Sequence, residues 1–316
     1  MKLLIVIVNY RSSDLTIDCL RSLADQVSPG EVEVVITDNA SGDGSVEKLQ
    51  AAISLNYWSA WARVMPLDRN GGFSFGNNAA IRPALNSEAP PSYFLLLNPD
   101  TVVLHGALQA LLEFMDDNTS VGIAGSRLEH TDGTPQISAF RFPSLASEFE
   151  NGVRLGLVSR MLKNKLVAQP IPNHAVLTDW VAGASMIIRR AVFEKIGLMD
   201  EGYFMYFEEV DFCLRARQAG WPCWYVPSSR IIHLVGQSSG VTDLKKIRNR
   251  VPAYWFQSRQ RYFRTHFPKH LALSADFLWF LGYSSHRIRL RLQRKQDQDP
   301  EHLLRDFLSH ALQKFS

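Results

Sequence analysis

The chain has 316 residues, 46% of them apolar and 21% charged, with a formal net charge of +3; these values suit a soluble α/β protein of one large domain or two intimately packed halves. No apolar run approaches the roughly 20 residues a spanning helix needs, and Leu3-Leu4-Ile5-Val6-Ile7-Val8 is short, lacks a small-residue cleavage site and leads straight into Asn9-Tyr10-Arg11, so it is expected as a buried first strand in preference to a signal peptide. The three cysteines, Cys19, Cys213 and Cys223, have no metal-ligand spacing and are expected as reduced, packed thiols of a cytoplasmic protein.

In chain order, the β-branched run 1–8 predicts a strand, and Leu15, Leu20 and Leu23 predict a helix over 14–23 packed on one side. A second strand over 31–37 ends in Asp38-Asn39, and the turn Asn39-Ala40-Ser41-Gly42-Asp43-Gly44 introduces a helix over 45–53. A third strand over 61–67 precedes Asn70-Gly71-Gly72 and a helix running to 85, and a fourth over 93–97 ends in Asn98-Pro99-Asp100. Strands alternating with helices predict a parallel, doubly wound sheet whose ligands bind at the carboxyl ends of the strands, where the polar residues cluster. A short strand over 121–125 follows. The segment 129–172, with scattered Pro, Ser and basic residues, is expected as an insertion or a mobile stretch. A strand over 179–189, a helix over 192–196 and an amphipathic helical end from 251 complete the chain.

Several motifs point to chemistry. Asp38-Asn39 offers a carboxylate and an amide to a nucleoside, or a helix cap and Asx-turn. Asn70-Gly71-Gly72-Phe73-Ser74-Phe75-Gly76-Asn77-Asn78 brings backbone close to phosphates at a helix start, or is a plain tight turn; it is not the Gly-x-Gly-x-x-Gly dinucleotide fingerprint. Asp100 puts a carboxylate in the strand-end crevice or forms a turn. Tyr206-Phe207-Glu208-Glu209-Val210-Asp211 holds three acids among aromatics. On a helix Glu208 and Asp211 share a face while Glu209 points about 100° away, so the acids do not all serve one role. His233, inside the apolar Ile231-Ile232-His233-Leu234, is either a satisfied core histidine or, with Asp100 and the acids, part of a divalent-metal site. A nucleotidyltransferase would carry a glycine-rich basic loop after the first strand, and Asn9-Tyr10-Arg11-Ser12-Ser13 has no glycine.

Taken in order and spacing, these motifs resemble inverting glycosyltransferase family 2, over roughly residues 3–240, with its rhamnosyltransferase-like bacterial branch suggested by the segments 203–215 and Tyr262-Phe263-Arg264. The resemblance implies the GT-A fold: a Rossmann-like, mostly parallel central sheet flanked by helices, with a helical C-terminal region. It implies a nucleotide-sugar-binding half over 1–125, an acceptor and catalytic half over 126–244 and a basic region over 245–316. By the same resemblance Asn9, Tyr10, Asp38, Asn70, Gly71, Asn77, Asn98 and Asp100 would bind the donor, with Asn98 departing from the acidic form of the metal motif. Asp100 and His233 would hold Mg²⁺ or Mn²⁺. Trp180, Gly183 and Glu208 would face the acceptor. Glu209 would be the general base, its pKa raised by burial, with Asp211 and Glu208 beside it, orienting the acceptor or pairing with Arg215 or Arg217. The implied reaction transfers a sugar, rhamnose from dTDP-rhamnose in first place, to a glycan or polyprenyl-diphosphate-linked acceptor in bacterial surface polysaccharide synthesis. A galactofuranosyl or hexosyl donor, or a catalytically silent sugar-nucleotide or glycan binder, are the alternatives.

Between 245 and 295 stand thirteen Lys or Arg against one acid, Asp276. Arg259, Arg261, Arg264 and Lys269 interleave with Trp255, Phe256, Tyr262, Phe263 and Phe267, and Leu278-Trp279-Phe280-Leu281 precedes Arg287, Arg289, Arg291 and Arg294. That composition suits a helix lying on an anionic membrane, on the inner face of the cell membrane for a cytoplasmic enzyme. The alternative is a helical cap on the catalytic core. No nucleic-acid partner is expected, since nothing upstream resembles a nucleic-acid module.

Overall fold

The structure, a computed structural model, describes residues 1–234 and 250–312. The expected boundary at 244 and 245 lies outside the described residues. The N-terminal part runs β1 (Leu3–Asn9), α1 (Ser13–Leu23), β2 (Val32–Asp38), α2 (Ser45–Leu55), β3 (Ala62–Pro66), α3 (Gly72–Leu85) and β4 (Tyr93–Leu97), then β5 (Thr101–Val103), α4 (Ala107–Asp117) and β6 (Ile123–Glu129). The chain continues through β7 (Ala139–Phe140), α5 (Leu145–Val153), α6 (Gly156–Met161), β8 (Val176–Thr178), β9 (Trp180–Val181), β10 (Ser185–Arg189), α7 (Arg190–Ile196), α8 (Glu208–Gln218) and β11 (Cys223–His233). From residue 250 onward come α9 (Ala253–His266), α10 (Lys269–Leu292) and α11 (Leu303–Ala311).

Strands β3, β2, β1 and β4 lie side by side and parallel, as the alternation of strands and helices predicts. Both faces of this sheet are covered, which is why its strands read as unbroken apolar runs. Side chains alternate across it. Leu3, Ile5 and Ile7 join Cys19, Leu20 and Leu23 of α1 with Leu49 of α2 and Leu111 of α4, whereas Leu4 and Val6 join Ile81 of α3, Phe193 of α7 and Phe212 of α8. Beyond β4 the sheet becomes mixed: β10 is antiparallel to both β4 and β6, β11 is parallel to β6, and β5 closes the edge antiparallel to β11. All three cysteines are buried and free.

Two expectations need correction. The stretch 179–189 is not one strand but β9 and β10 separated by a turn at 182–184, and that turn carries Gly183 into the site. The segment 129–172 is not loose throughout, because α5 packs along α10 with backbones in close approach. A Cβ on Gly152 would stand 2.5 Å from the Trp279 carbonyl oxygen, and one on Gly282 would stand 2.7 Å from that of Phe149. Only glycine at both crossing points allows this separation.

The C-terminal helices cap the core. Tyr262, Phe263, Ala272 and Ala275 pack with Tyr203 and Val210, and Phe256, Trp279, Tyr283, Leu303 and Phe307 form a second cluster. The aromatics of α9 therefore face inward. Their basic neighbours are largely paired: Arg259 with Glu148 and Asp276, Arg261 with Asp200, Arg250 with Asp306. Among the described residues no helix is long and apolar enough to cross a membrane.

Candidate active site

Strands β1 and β2 end level, with Asn9 opposite Asp38. The Asn9 amide donates to Asp38 Oδ1 at 2.7 Å, the Ser41 hydroxyl to the same oxygen at 2.6 Å, and the Ser41 N–H to Asp38 Oδ2 at 2.9 Å. The hydroxyls of Ser12 and Thr16 donate to Asn9 Oδ1. Both side chains are buried and tied to one another; Asp38 holds the N–H three residues on instead of the one two residues on that an Asx-turn uses, and the cap of α2 falls at Gly44, so Asp38 pins the loop with a spare lone pair left on Oδ2. Tyr10 lies at the exposed lip with the Arg11 guanidinium over its ring.

The next loop is built around Gly72, whose φ of +85° and contact with the 204 backbone leave no room for a side chain; a Cβ there would lie 1.9 Å from the Phe204 carbonyl oxygen. That oxygen accepts the Phe73 N–H at 2.9 Å. Asn70 Oδ1 accepts the Gly72 N–H, and Gly71 is flanked by the Phe75 ring. Asn77 donates to the Phe73 carbonyl. Its Oδ1, with Asn39 Oδ1 and Ser74 Oγ, is buried without a hydrogen-bond partner among the described residues. Such atoms in a native fold await a polar ligand or water. Ser74 carries no sequence signal beyond its place in the glycine loop.

The end of β4 turns at Asn98, whose N–H donates to the Ala184 carbonyl. Asp100 is buried just before β5, where the antiparallel pairing with β11 sets His233 opposite Thr101. His233 Nε2 consequently lies 3.5 Å from Asp100 Oδ1. The Gln136 amide holds the His233 carbonyl at 2.8 Å, and Glu129, opposite Ile232 and buried beneath Arg127 and Arg230, secures the neighbouring strand end. Glu129 and Gln136 carry no motif and escape sequence reasoning. A carboxylate oxygen beside an imidazole nitrogen fits a divalent cation that completes its shell with phosphate oxygens and water. Among the described residues no group of three or more potential ligands is assembled, and those described residues contribute this pair.

The acidic stretch opens α8. Tyr206 and Phe207 both adopt positive φ, 70° and 69°, a strained pair of residues immediately before Glu208. Glu208 is buried, and its Oε2 has no hydrogen-bond partner among the described residues. Glu209 is partly exposed as a residue, yet its Oε2 is also buried and unpartnered. Burial pushes the Glu209 pKa up to about 7, opposed by its own N–H and that of Gly183. Burial and the Glu209 charge push Glu208 well above the carboxylate range. Adjacent acids that cannot both ionise divide into one that holds a proton and one that can accept it.

Asp211 has a different setting. Its carboxylate accepts from His266 Nε2 at 2.6 Å and Arg215 Nε at 2.8 Å, with the Tyr203 hydroxyl at 3.5 Å. Burial would raise its pKa, but His266 and Arg215 outweigh that and hold it low. This geometry clasps α8 to α9 and takes Asp211 out of the group of acids with open oxygens, leaving Glu208 and Glu209. On the opposite wall Trp180 stacks on Phe140 at 4.1 Å and donates to the Arg141 carbonyl. Gly183 touches the Phe73 ring and stands beside Glu209 Oε1. The turn at 182–184 therefore joins the two groups, one end bonded to Asn98 and the other reaching Glu209.

The model of glycosyl transferase family 2 matches residues 4–197. The chain is 29% identical over 221 residues to an N-acetylglucosaminyl-diphospho-decaprenol L-rhamnosyltransferase of Mycobacterium tuberculosis, covering 66% of this chain and 68% of that one. It is 29% identical over 237 residues to the rhamnosyltransferase WbbL of Escherichia coli, covering 72% and 82%. Among solved structures, GalNAc-T7 with UDP, GalNAc and Mn²⁺ superposes with a TM-score of 0.60 at 16% identity, covering 98% of this chain and 55% of that one. S. aureus TarS does so with a TM-score of 0.52 at 15% identity, covering 90% of this chain, which spans 43% of TarS. These two likenesses show the shared fold, that of GT-A glycosyltransferases.

Proposed function

The chain belongs to glycosyl transferase family 2, and we propose that it is an inverting enzyme moving rhamnose from dTDP-rhamnose to a lipid-linked glycan in bacterial surface polysaccharide synthesis. Two rhamnosyltransferase relatives support the sugar, and one of them, named for a decaprenol-linked substrate, supports the acceptor class. The observation that carries the chemistry is the Glu209 carboxyl, whose Oε1 stands beside Gly183 while its buried Oε2 has no hydrogen-bond partner among the described residues, and whose pKa burial raises to about 7.

In this reading the acceptor hydroxyl oxygen attacks the anomeric carbon from the face opposite the nucleotide. The new C–O bond forms as the bond to the diphosphate breaks, and the hydroxyl proton passes to Glu209. A single displacement inverts the centre. Glu208 keeps its proton and can donate a hydrogen bond to the acceptor. Asn9, Asp38, Asn70 and Asn77 would line the donor side, where the Asn39, Ser74 and Asn77 oxygens that lack partners among the described residues would meet a polar ligand, while Trp180 and Gly183 would frame the acceptor side. Asp100 and His233 would hold a divalent cation, which when bound supplies charge neutralisation for the departing diphosphate; the Mn²⁺ named with GalNAc-T7 supports that assignment. In this reading the enzyme works in the cytoplasm, at the inner face of the cell membrane, within reach of a bilayer-borne acceptor.

The test is release of nucleoside diphosphate from a panel of nucleotide sugars with Mn²⁺ or Mg²⁺, with and without a polyprenyl-diphosphate-linked acceptor. Turnover should be greatest with dTDP-rhamnose. Asp100→Ala and His233→Ala should each weaken Mn²⁺-dependent donor binding, read by calorimetry, by about tenfold or more. Donor binding without turnover on any sugar would instead make the chain a silent binder, and unchanged metal dependence in both variants would remove the cation.

A further inference from the structure

Helix α10 presents two unlike faces. Ala272, Ala275, Trp279, Gly282 and Tyr283 are buried against α5, α9 and α11. On the other side Leu273, Phe277, Leu281, Ile288 and Leu292 are exposed, Phe277 by 61% and Leu292 by 80%. Their spacings of four, four, seven and four keep all five within one stripe about 100° wide. At 1.5 Å per residue the stripe runs for roughly 28 Å, interrupted at Ser284, and five large apolar residues aligned on one face are more than scattered surface leucines.

Charge stands beside it. Arg291, Arg294 and Lys295 lie at the same end of the helix and are exposed, and among the described residues none has a carboxylate partner. A second segment repeats the pattern. Arg289 donates to the carbonyls of Val153 and Arg154, so α6 begins next to the last turns of α10. In and just after α6, Leu157 and Met161 are exposed, and Arg160, Lys163 and Lys165 are exposed cations without ion-pair partners among the described residues.

We propose that the outer face of α10, extended by α6, is a docking surface for an anionic phospholipid bilayer. A helix that buries one face in protein and carries an apolar stripe edged by unpaired Arg and Lys on the other has the composition of an interfacial helix lying in the headgroup plane. Unpaired cations choose a negative surface over a second copy of this equally basic patch, which like charge would repel. The surface is not the one that composition suggests, because Arg259 and Arg261 of α9 are already paired within the fold. Its purpose, delivery of the active site to a lipid-borne acceptor, rests on the proposed function. Its existence does not.

The test is co-sedimentation of the full chain with vesicles of phosphatidylcholine alone or mixed with phosphatidylglycerol, alongside turnover on a short-chain, water-soluble acceptor. Binding is expected to the mixed vesicles, to fall with added salt, and to drop about tenfold or more in Phe277→Ser combined with Leu281→Ser and, separately, in Arg291→Glu combined with Arg294→Glu. Both variants change exposed positions and should keep wild-type turnover on the soluble acceptor. No binding by the wild type, equal binding to neutral vesicles, or loss of a dimer in the Phe277/Leu281 variant by sedimentation velocity would each overturn the proposal. Vesicle binding without turnover on any acceptor would leave the surface standing and reject the enzymatic reading.

Discussion

Glu209 stands at the point where two opposite demands on a carboxyl group meet. It must be ionised to accept a proton, yet burial holds its pKa up at about 7, with the Gly183 N–H only partly offsetting that. The fraction of Glu209 in the accepting form therefore grows as pH rises through about 7, so the turnover rate should climb with a single acidic limb and level above it. Glu209→Gln keeps the shape and the acceptor for the Gly183 N–H but cannot take a proton. It should lower kcat by about 10²- to 10⁴-fold, erase that limb and leave donor affinity within a factor of about three. An active variant with an unchanged pH profile would move the base elsewhere. Glu208→Gln separates the neighbouring acids, since a group already holding its proton loses little by amidation and the acidic limb should persist.

At the scale of elements, the site depends on how α3, α8 and the turn at 182–184 meet. The Gly72 contact with the Phe204 carbonyl is the junction, two residues before the strained pair Tyr206 and Phe207. Gly72→Ala combines a left-handed φ with a 1.9 Å overlap against backbone, which cannot yield as a flexible side chain would. It should destabilise the protein by about 3 kcal/mol or more and depress turnover by shifting the start of α8. Gly44→Ala has a similar φ of +82° but open space around it, and should cost only about 1 kcal/mol with turnover intact. Thermal melts and kinetics of the two variants separate overlap from backbone strain. Much of this geometry is legible in the chain. The strands that end in Asn9, Asp38 and Asn98 are visible as apolar runs closed by polar residues, because a sheet covered on both faces needs that pattern. The joining of Asp100 to His233 is not visible by local pattern, since it depends on the three-residue β5, too short to show periodicity, pairing with a strand more than a hundred positions away. Resemblance to a family supplies that pair where periodicity cannot. The clasp of Asp211 by His266 is hidden for the same reason, so Glu208 and Asp211, which share a helical face, are not told apart until α9 is in place.

For the whole molecule, the question is what binds the helical cap to the sheet, and composition misleads here because it counts arginines without showing their partners. Arg259 of α9 is 2% exposed and lies between Glu148 of α5 and Asp276 of α10, so one guanidinium ties together three helices. Burial raises the Glu148 pKa, while Arg259 acts against it and keeps the carboxylate usable as an ion-pair partner. Arg259→Met preserves much of the side-chain volume but leaves two carboxylates without their cation. The loss should be on the order of 3–5 kcal/mol near neutral pH, far above the roughly 1 kcal/mol or less expected for Arg250→Ala, whose guanidinium is exposed beside Asp306. The pH dependence has a definite sign. Without Arg259 the folded-state pKa of Glu148 rises further above its unfolded value, so the folded form is penalised as pH climbs past that unfolded value and the penalty fades as pH falls towards it. The Arg259→Met defect should therefore shrink on acidification from pH about 7 to about 5, and Glu148→Gln in the same background should recover part of it at neutral pH. Urea unfolding followed through the tryptophans, with Trp279 in the cap and Trp58 and Trp61 under the sheet, reads both parts of the molecule. A defect that is the same at both pH values, or no larger than that of Arg250→Ala, would show that the cap is held by its aromatic packing and not by this buried ion triad.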